Sequence, residues 1–374
     1  MPKIIDIHMH VGLIGDKWPE MGRMSACYRQ QLTYKIFLLY AGISPDDACD
    51  QALWDKTVDT LNSCDLDHVV CLALDPVYDG GGVRREEASH VWVDNAFVIK
   101  LKKAVGPKVL FGASVHPYAP DFRERTAQCI ADGAVLMKWL PSAQQFTLSD
   151  PRARNALEFL ATARNGKPLP LLLHCGMEYA IPTMDPRTQS YDLLRWTWTD
   201  KTRNFFRRKR DKWNTPDING IHDTLKAGMK AGAQIIFAHC GTPYFAGNIL
   251  GGLIEHDDFP VVKKFIKKST EPGYSGTCYG DVSAFCTPFR KKYFKDVKKL
   301  PSDHILFGSD FPTPAFEIFA DAKEHHEDLK AVLKGQFERI IVPQDNLLDV
   351  NYRELRQAFG DHPMFSRFAD LADI

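Results

Sequence analysis

The chain has 374 residues, 44% of them hydrophobic and 25% charged, a balance that allows a large buried core and excludes disordered, collagen-like and disulfide-scaffold classes. Lysine plus arginine equals aspartate plus glutamate at 47 each, so no nucleic-acid partner is expected from charge. No apolar run approaches the roughly 20 residues of a membrane helix. The first ten residues lack a signal-type stretch and the nine cysteines are dispersed without CxxC pairs, so a soluble, cytoplasmic chain with no membrane partner is expected.

Taken in chain order, the first apolar, β-rich segment is 4–10 (IIDIHMH), followed by a long connection from 11 to about 61. Strand-like runs follow at 68–75 (HVVCLALD), 109–116 (VLFGASVH) and 134–140 (AVLMKWL), with amphipathic helical stretches at 123–132 and 151–164. A fifth run, 169–175 (LPLLLHC), leads into a second long connection, about 176–222. That connection interleaves Tyr179, Tyr191, Trp196, Trp198, Phe205, Phe206 and Trp213 with Arg195, Lys201, Arg203 and the basic run 207–210. It is read as a helical excursion with solvated charges, in preference to a nucleic-acid patch. A helical stretch at 224–231 precedes the last three runs, 234–240 (QIIFAHC), 277–285 (TCYGDVSAF) and 304–310 (HILFGSD).

Near-continuous apolar runs mark strands covered on both faces. Strand and helix repeated eight times is the period of an α/β fold of the (β/α)8 TIM-barrel type. A doubly wound open sheet fits less well, because no glycine-rich turn follows the first run. The whole chain, 1–374, thus reads as a single barrel domain with insertions at about 11–61 and 176–222 and a C-terminal extension at about 340–374. The insertions leave the carboxyl ends of strands, where barrel enzymes place their chemistry, and connections of that length are often lids. The tail is expected to wrap the barrel or meet a partner subunit, and its Leu, Phe and Tyr residues could supply a homodimer surface.

Polar residues fall late inside these apolar runs, where burial demands a partner. His8 and His10 share a face of the first strand, being two apart. Lys138 lies toward the end of the fourth run, His174 near the end of the fifth, His239 near the end of the sixth and Asp310 at the end of the eighth. Each alone could be an ordinary hydrogen-bonded core residue or a turn former. Together they place six such groups at one barrel mouth, and imidazole with carboxylate is the donor set that suits zinc and neighbouring divalent metals. His116, Arg23 and Tyr244 are candidate substrate contacts, as are Arg84 and Arg85. Asp281 could orient a liganding histidine or pair with a lysine. Cys175 and Cys240, beside two of the histidines, read as packing residues.

The set His8-Met9-His10, Lys138, His174, His239 and Asp310, in that order and at those strands, resembles the signature of the amidohydrolase superfamily. It is most similar to the amidohydrolase 2 branch, which includes the aminocarboxymuconate-semialdehyde decarboxylase type. The resemblance covers residues 4 to about 314 and leaves out the insertions and the tail. It implies one divalent metal, Zn2+ by default with Mn2+, Fe2+ or Co2+ suited to the same ligands, held by His8, His10, His174 and Asp310. His239 would stand beside it as acid/base or electrophile. Were Lys138 carboxylated, it and His239 would make a second metal site, but the Lys-x-x-Pro stretch that Lys138 opens matches mononuclear relatives.

The implied activity is a metal-dependent hydrolase of a C–N or C–O bond in a small carboxylated or cyclic substrate. In it Asp310 serves as proton acceptor and donor, and His239 polarises the scissile carbonyl. The alternative is a metal-dependent non-oxidative decarboxylase on the same ligands. A non-catalytic binding barrel is a third reading, which the complete ligand set disfavours.

Overall fold

The computed structural model describes residues 2–175, 180–181, 218–242, 258–287, 290–313 and 345–374. Eight parallel strands stand side by side in chain order: β1 Ile5–His10, β2 His68–Leu72, β3 Val109–Ala113, β4 Ala134–Trp139, β5 Leu171–Leu173, β6 Gln234–Phe237, β7 Thr277–Asp281 and β8 Ile305–Leu306. The sheet closes on itself. Ile7 N donates to Phe307 O (3.1 Å), Asp310 N to His8 O (2.7 Å) and His10 N to Phe311 O (2.8 Å), and Met9 bridges to Phe311 in parallel. The fold is therefore the (β/α)8 barrel, and the open-sheet alternative falls because the first and last strands are neighbours.

Both faces of the strands are apolar because both are covered. Ile5, Ile7, Val70, Leu72, Leu136, Leu172, Ile236 and Leu306 form one interior cluster. The outward-facing residues pack on the longer helices: α1 Leu32–Ala41, α2 Asp50–Ser63, α3 Asn95–Val105, α4 Phe122–Ala131, α5 Pro151–Leu160, α6 Ile218–Ala231, α7 Phe259–Ser269, α8 Leu347–Phe359 and the short α9 Phe368–Ala372. Local chemistry starts them where the sequence implies. At α5, for example, the Asp150 side chain accepts from Arg152 N (2.8 Å) and Pro151 fills the first helical position, both favourable at a helix start.

The first connection is shorter than expected, because α2 is the barrel helix that feeds β2. Residues 11–49 form α1 and a ribbon in which Gly22–Met24 pairs antiparallel with Val91–Val93. The buried Asp50 carboxylate holds the start of this segment, accepting from Ile14 N (2.6 Å), Gly15 N, Lys17 N and Trp18 N (2.9 Å each). The tail turns inward. Phe368, Leu371 and Ala372 join the barrel-interior cluster beside Ile5, and Arg164 donates to Leu371 O (2.7 Å) and Ala372 O (3.0 Å). Of its apolar side chains Leu347, Leu348, Leu355, Phe365, Phe368 and Leu371 are buried within this chain, while Tyr352 and Phe359 are half-buried.

All nine cysteines are free thiols and seven are buried, in keeping with the expectation of no disulfide framework. Among the described residues no helix is long and apolar enough to cross a membrane. The aromatic and basic residues of the second connection, from Tyr179 to Trp213, lie outside the described residues.

Candidate metal centre

The site begins at an irregularity in β1, where the register against β2 shifts between Asp6 and Met9. Because of it Ile7 packs in the barrel interior while its neighbour His8 also points inward, to Lys138 and Asp281. The buried Asp6 carboxylate secures the shift: its Oδ1 accepts from His8 N and Ser309 N, both at 2.9 Å. This ties the strand bearing the two histidines to the segment bearing Asp310. Burial raises the Asp6 pKa despite those bonds and the side chain of Ser309.

Three donor atoms converge at the mouth. His8 Nε2 lies 3.2 Å from His10 Nε2, and Asp310 Oδ1 lies 3.3 Å from each. Bonds of about 2.1 Å at 90–110° would set neighbouring donors about 3.0–3.4 Å apart, so the triangle has the dimensions of one face of a coordination shell. The far nitrogen of His8 is held by Asp281, Nδ1 to Oδ2 at 2.9 Å. This is the carboxylate–histidine arrangement that turns the Nε2 lone pair outward as an acceptor, and of the two partners left open for Asp281 the one it meets is a histidine. Asp310 is oriented in turn by Thr313 Oγ1, which donates to Oδ2 at 2.7 Å.

Lys138, fully buried, brings its Nζ to 3.0 Å from His8 Nε2. His239 stacks on His8 with ring centroids 5.3 Å apart and has its Nε2 3.9 Å from Asp310 Oδ2. His174, just beyond β5, packs edge-on against His239 at 5.4 Å. All six residues named from the sequence thus meet at one end of the barrel, with His8, His10 and Asp310 supplying the close triangle. His239 is not within a strand as expected. β6 stops at Phe237, and His239 takes a left-handed conformation (φ 55°, ψ 22°), held by donation from its N–H to Asp281 Oδ1 at 2.7 Å. Such a backbone costs a non-glycine residue roughly 1–2 kcal/mol. Asp310 is also left-handed, at φ 63°.

The electrostatics suit a cation. Burial pushes His10 down to about 4 against the opposing pull of Asp310. Burial likewise takes His239 down to about 3, Asp310 opposing and Arg290 assisting. His174 is also lowered, by burial first and then by His239 and Lys138. Burial disfavours the Asp310 charge, yet His239, His8 and the His10 hydrogen bond outweigh it and keep the carboxyl well below its ordinary range. At neutral pH His10, His174 and His239 are therefore neutral imidazoles and Asp310 an ionised carboxylate, the protonation states metal binding requires.

The weaker candidates fare differently. His116 has both ring nitrogens taken, Nε2 donating to Gln144 O (2.8 Å) and Nδ1 accepting from Tyr118 N (3.0 Å). It is a framework residue of the mouth with no nitrogen left for a substrate. Arg84 and Arg85 are paired with Glu86 and Asp94 and with Asp79 and Glu87. Arg23 sits half-buried in the ribbon with a buried Nε that meets no acceptor among the described residues. Tyr244 lies outside the described residues. Cys175 and Cys240 are buried packing residues whose thiols donate to Ala238 O and Asp281 O. Three residues were not anticipated: Asp6, Thr313, which holds Asp310, and Ser283, whose hydroxyl stands between His8 and His239.

No protein-family model and no curated protein matches the sequence. Solved structures do. An amidohydrolase 2 from Bifidobacterium longum subsp. infantis is 12% identical over 100% of both chains, with a TM-score of 0.42. An amidohydrolase from Burkholderia multivorans is 12% identical over 100% of this chain and 99% of its own, TM-score 0.44. The 5-carboxyvanillate decarboxylase of Novosphingobium aromaticivorans, complexed with manganese, is 12% identical over 94% and 96%, TM-score 0.43. Likenesses at this level concern the fold, and no residue role is carried across from them.

Proposed function

We propose that the chain is a metal-dependent hydrolase of the amidohydrolase 2 type, acting on a C–N or C–O bond of a small carboxylated or cyclic molecule. The observation that supports this reading is the donor triangle of His8, His10 and Asp310, with Asp281 behind His8. His174 would complete the shell of one divalent ion, zinc by default, with manganese, iron or cobalt suited to the same donors. Bound there, such an ion would supply Lewis acidity and a water acidified toward neutral pH.

The chain's own residues would do the rest. Asp310, ionised and with its Oδ2 fixed by Thr313, would accept the proton of the attacking water and return it to the leaving group. His239 is neutral, and its Nδ1 faces the Ser283 carbonyl at 3.1 Å. That nitrogen therefore carries the hydrogen and Nε2 is left as an acceptor. Of the two roles the resemblance implies for His239, acid/base or electrophile, this favours the proton acceptor. Lys138 would remain an amine beside His8, outside a single-ion shell.

The test is to load the protein with zinc, manganese or cobalt and offer a panel of lactones, cyclic amides and aromatic carboxylic acids in 18O-labelled water. One tightly bound ion and 18O in an opened product are expected. Carbon dioxide released without 18O incorporation would replace the hydrolase with the carboxy-lyase reading. Failure to retain any ion would remove both.

A further inference from the structure

We infer that Ser283 is a positioning residue whose hydroxyl locks His8 and His239 together with their Nε2 lone pairs aimed at the mouth, an inference that rests on the functional reading above. Ser283 follows β7 and is wholly buried. Its Oγ lies 3.0 Å from His8 Nδ1 and 2.9 Å from His239 Nδ1, and it also bonds Asp281 Oδ1.

The hydrogens follow from the partners. His8 Nδ1 faces the Asp281 carboxylate, which only accepts, and His239 Nδ1 faces the Ser283 carbonyl, which only accepts. Both nitrogens must therefore donate. A hydroxyl oxygen has two lone pairs and one hydrogen, so Oγ shares the single Nδ1 hydrogen of each ring with that ring's other acceptor and gives its own hydrogen to Asp281. Every bonding capacity of the group is used, and neither ring can turn over without breaking a bond.

The packing agrees. The two rings lie 21° from parallel. A Cβ added at Gly308 would come 2.8 Å from His8 Cβ and 3.1 Å from Ser283 Cβ, so glycine there lets the serine and the histidine close on one another. His239, expected to move protons, and His8, expected to hold the ion, are thus set by one side chain.

The experiment uses full-length, metal-free protein labelled with 15N at histidine and long-range proton–nitrogen correlation spectra. The two rings are assigned by the signals lost in His8→Gln and His239→Gln. Both should show hydrogen on Nδ1 and none on Nε2; an Nε2–H form of either ring overturns the inference. In Ser283→Ala, cobalt affinity from chelator competition should fall about tenfold, and the visible spectrum of bound cobalt should change in band position. Wild-type affinity together with a wild-type spectrum would overturn the inference. Should that variant not fold, the wild-type tautomers decide alone. Should wild-type protein bind no cobalt, the metal-enzyme reading fails while the tautomer result still judges Ser283.

Discussion

At Asp310 the two carboxylate oxygens have different partners. Oδ1 faces His8 and His10, whereas Oδ2 is held by Thr313 and looks toward His239. Asp310→Asn keeps an oxygen for the triangle but loses the proton-accepting charge. Metal content by elemental analysis should therefore survive at saturating ion, while turnover falls at least about 100-fold, as for loss of a general base. Turnover within a few-fold of wild type would remove Asp310 from proton transfer. Gly308 makes a different prediction. Gly308→Ala forces a Cβ into contact with His8 and Ser283, so zinc affinity should drop about tenfold or more, with a stability loss of about 1–3 kcal/mol from overpacking. Equilibrium dialysis and urea unfolding measure the two, and unchanged affinity would show that His8 can move without consequence. The polar residues of the centre were legible because each interrupts an apolar run late in its strand. Asp6 and Ser283 were not. Asp6 acts through a register shift that leaves no trace in composition, and Ser283 is a common residue whose histidine partners lie 275 and 44 positions away.

Among the elements, the segment leaving β1 depends most on a single side chain. Burial works against the Asp50 charge, but the four backbone N–H groups that point at it prevail and lower its pKa. Asp50→Ala would strand four donors and should cost about 3 kcal/mol or more, since each buried unsatisfied group is worth about 1–3 kcal/mol. Asp50→Asn, which retains one acceptor oxygen, should fall between. Urea midpoints measure this, and a loss below about 1 kcal/mol for the alanine variant would mean the segment is held elsewhere. Strand and helix positions could be read from the sequence because parallel strands in a barrel are apolar on both faces. The ribbon of Gly22–Met24 and Val91–Val93 could not, since three-residue strands are too short to show a period. The strand ends also ran past their true limits: His174 lies one residue beyond β5, and at His239 and Asp310 the backbone turns left-handed.

For the molecule as a whole, the barrel is closed at one end by its own tail and carries several buried histidines. The tail was legible only as surplus length, because nothing in its composition says which surface its phenylalanines meet. Phe368 is fully buried in the interior cluster, so Phe368→Ala should cost about 3–5 kcal/mol, and a change under about 1 kcal/mol in urea unfolding would show that the closure is dispensable. The histidines give a pH dependence whose sign can be worked out. His116 is pushed down to about 3, by burial above all and against its bond to Gln144 O, and His239 is likewise near 3, whereas the unfolded value is about 6.5. Between these values the unfolded chain binds more protons than the folded one. The stabilisation is thus complete above about pH 6.5 and is lost as pH falls toward 3. From pH 6.5 to 5 each histidine accounts for about 2 kcal/mol at 1.36 kcal/mol per unit. Asp6 acts oppositely, because its raised pKa lets the folded state take a proton first, but only nearer the carboxylate range. Metal-free protein should therefore show a urea midpoint clearly lower at pH 5 than at pH 7.5. His116→Asn, whose amide oxygen can still accept from Tyr118 N, should make that difference smaller by one histidine's share. A midpoint that does not move between those pH values would mean that the buried imidazoles are already protonated in the folded protein.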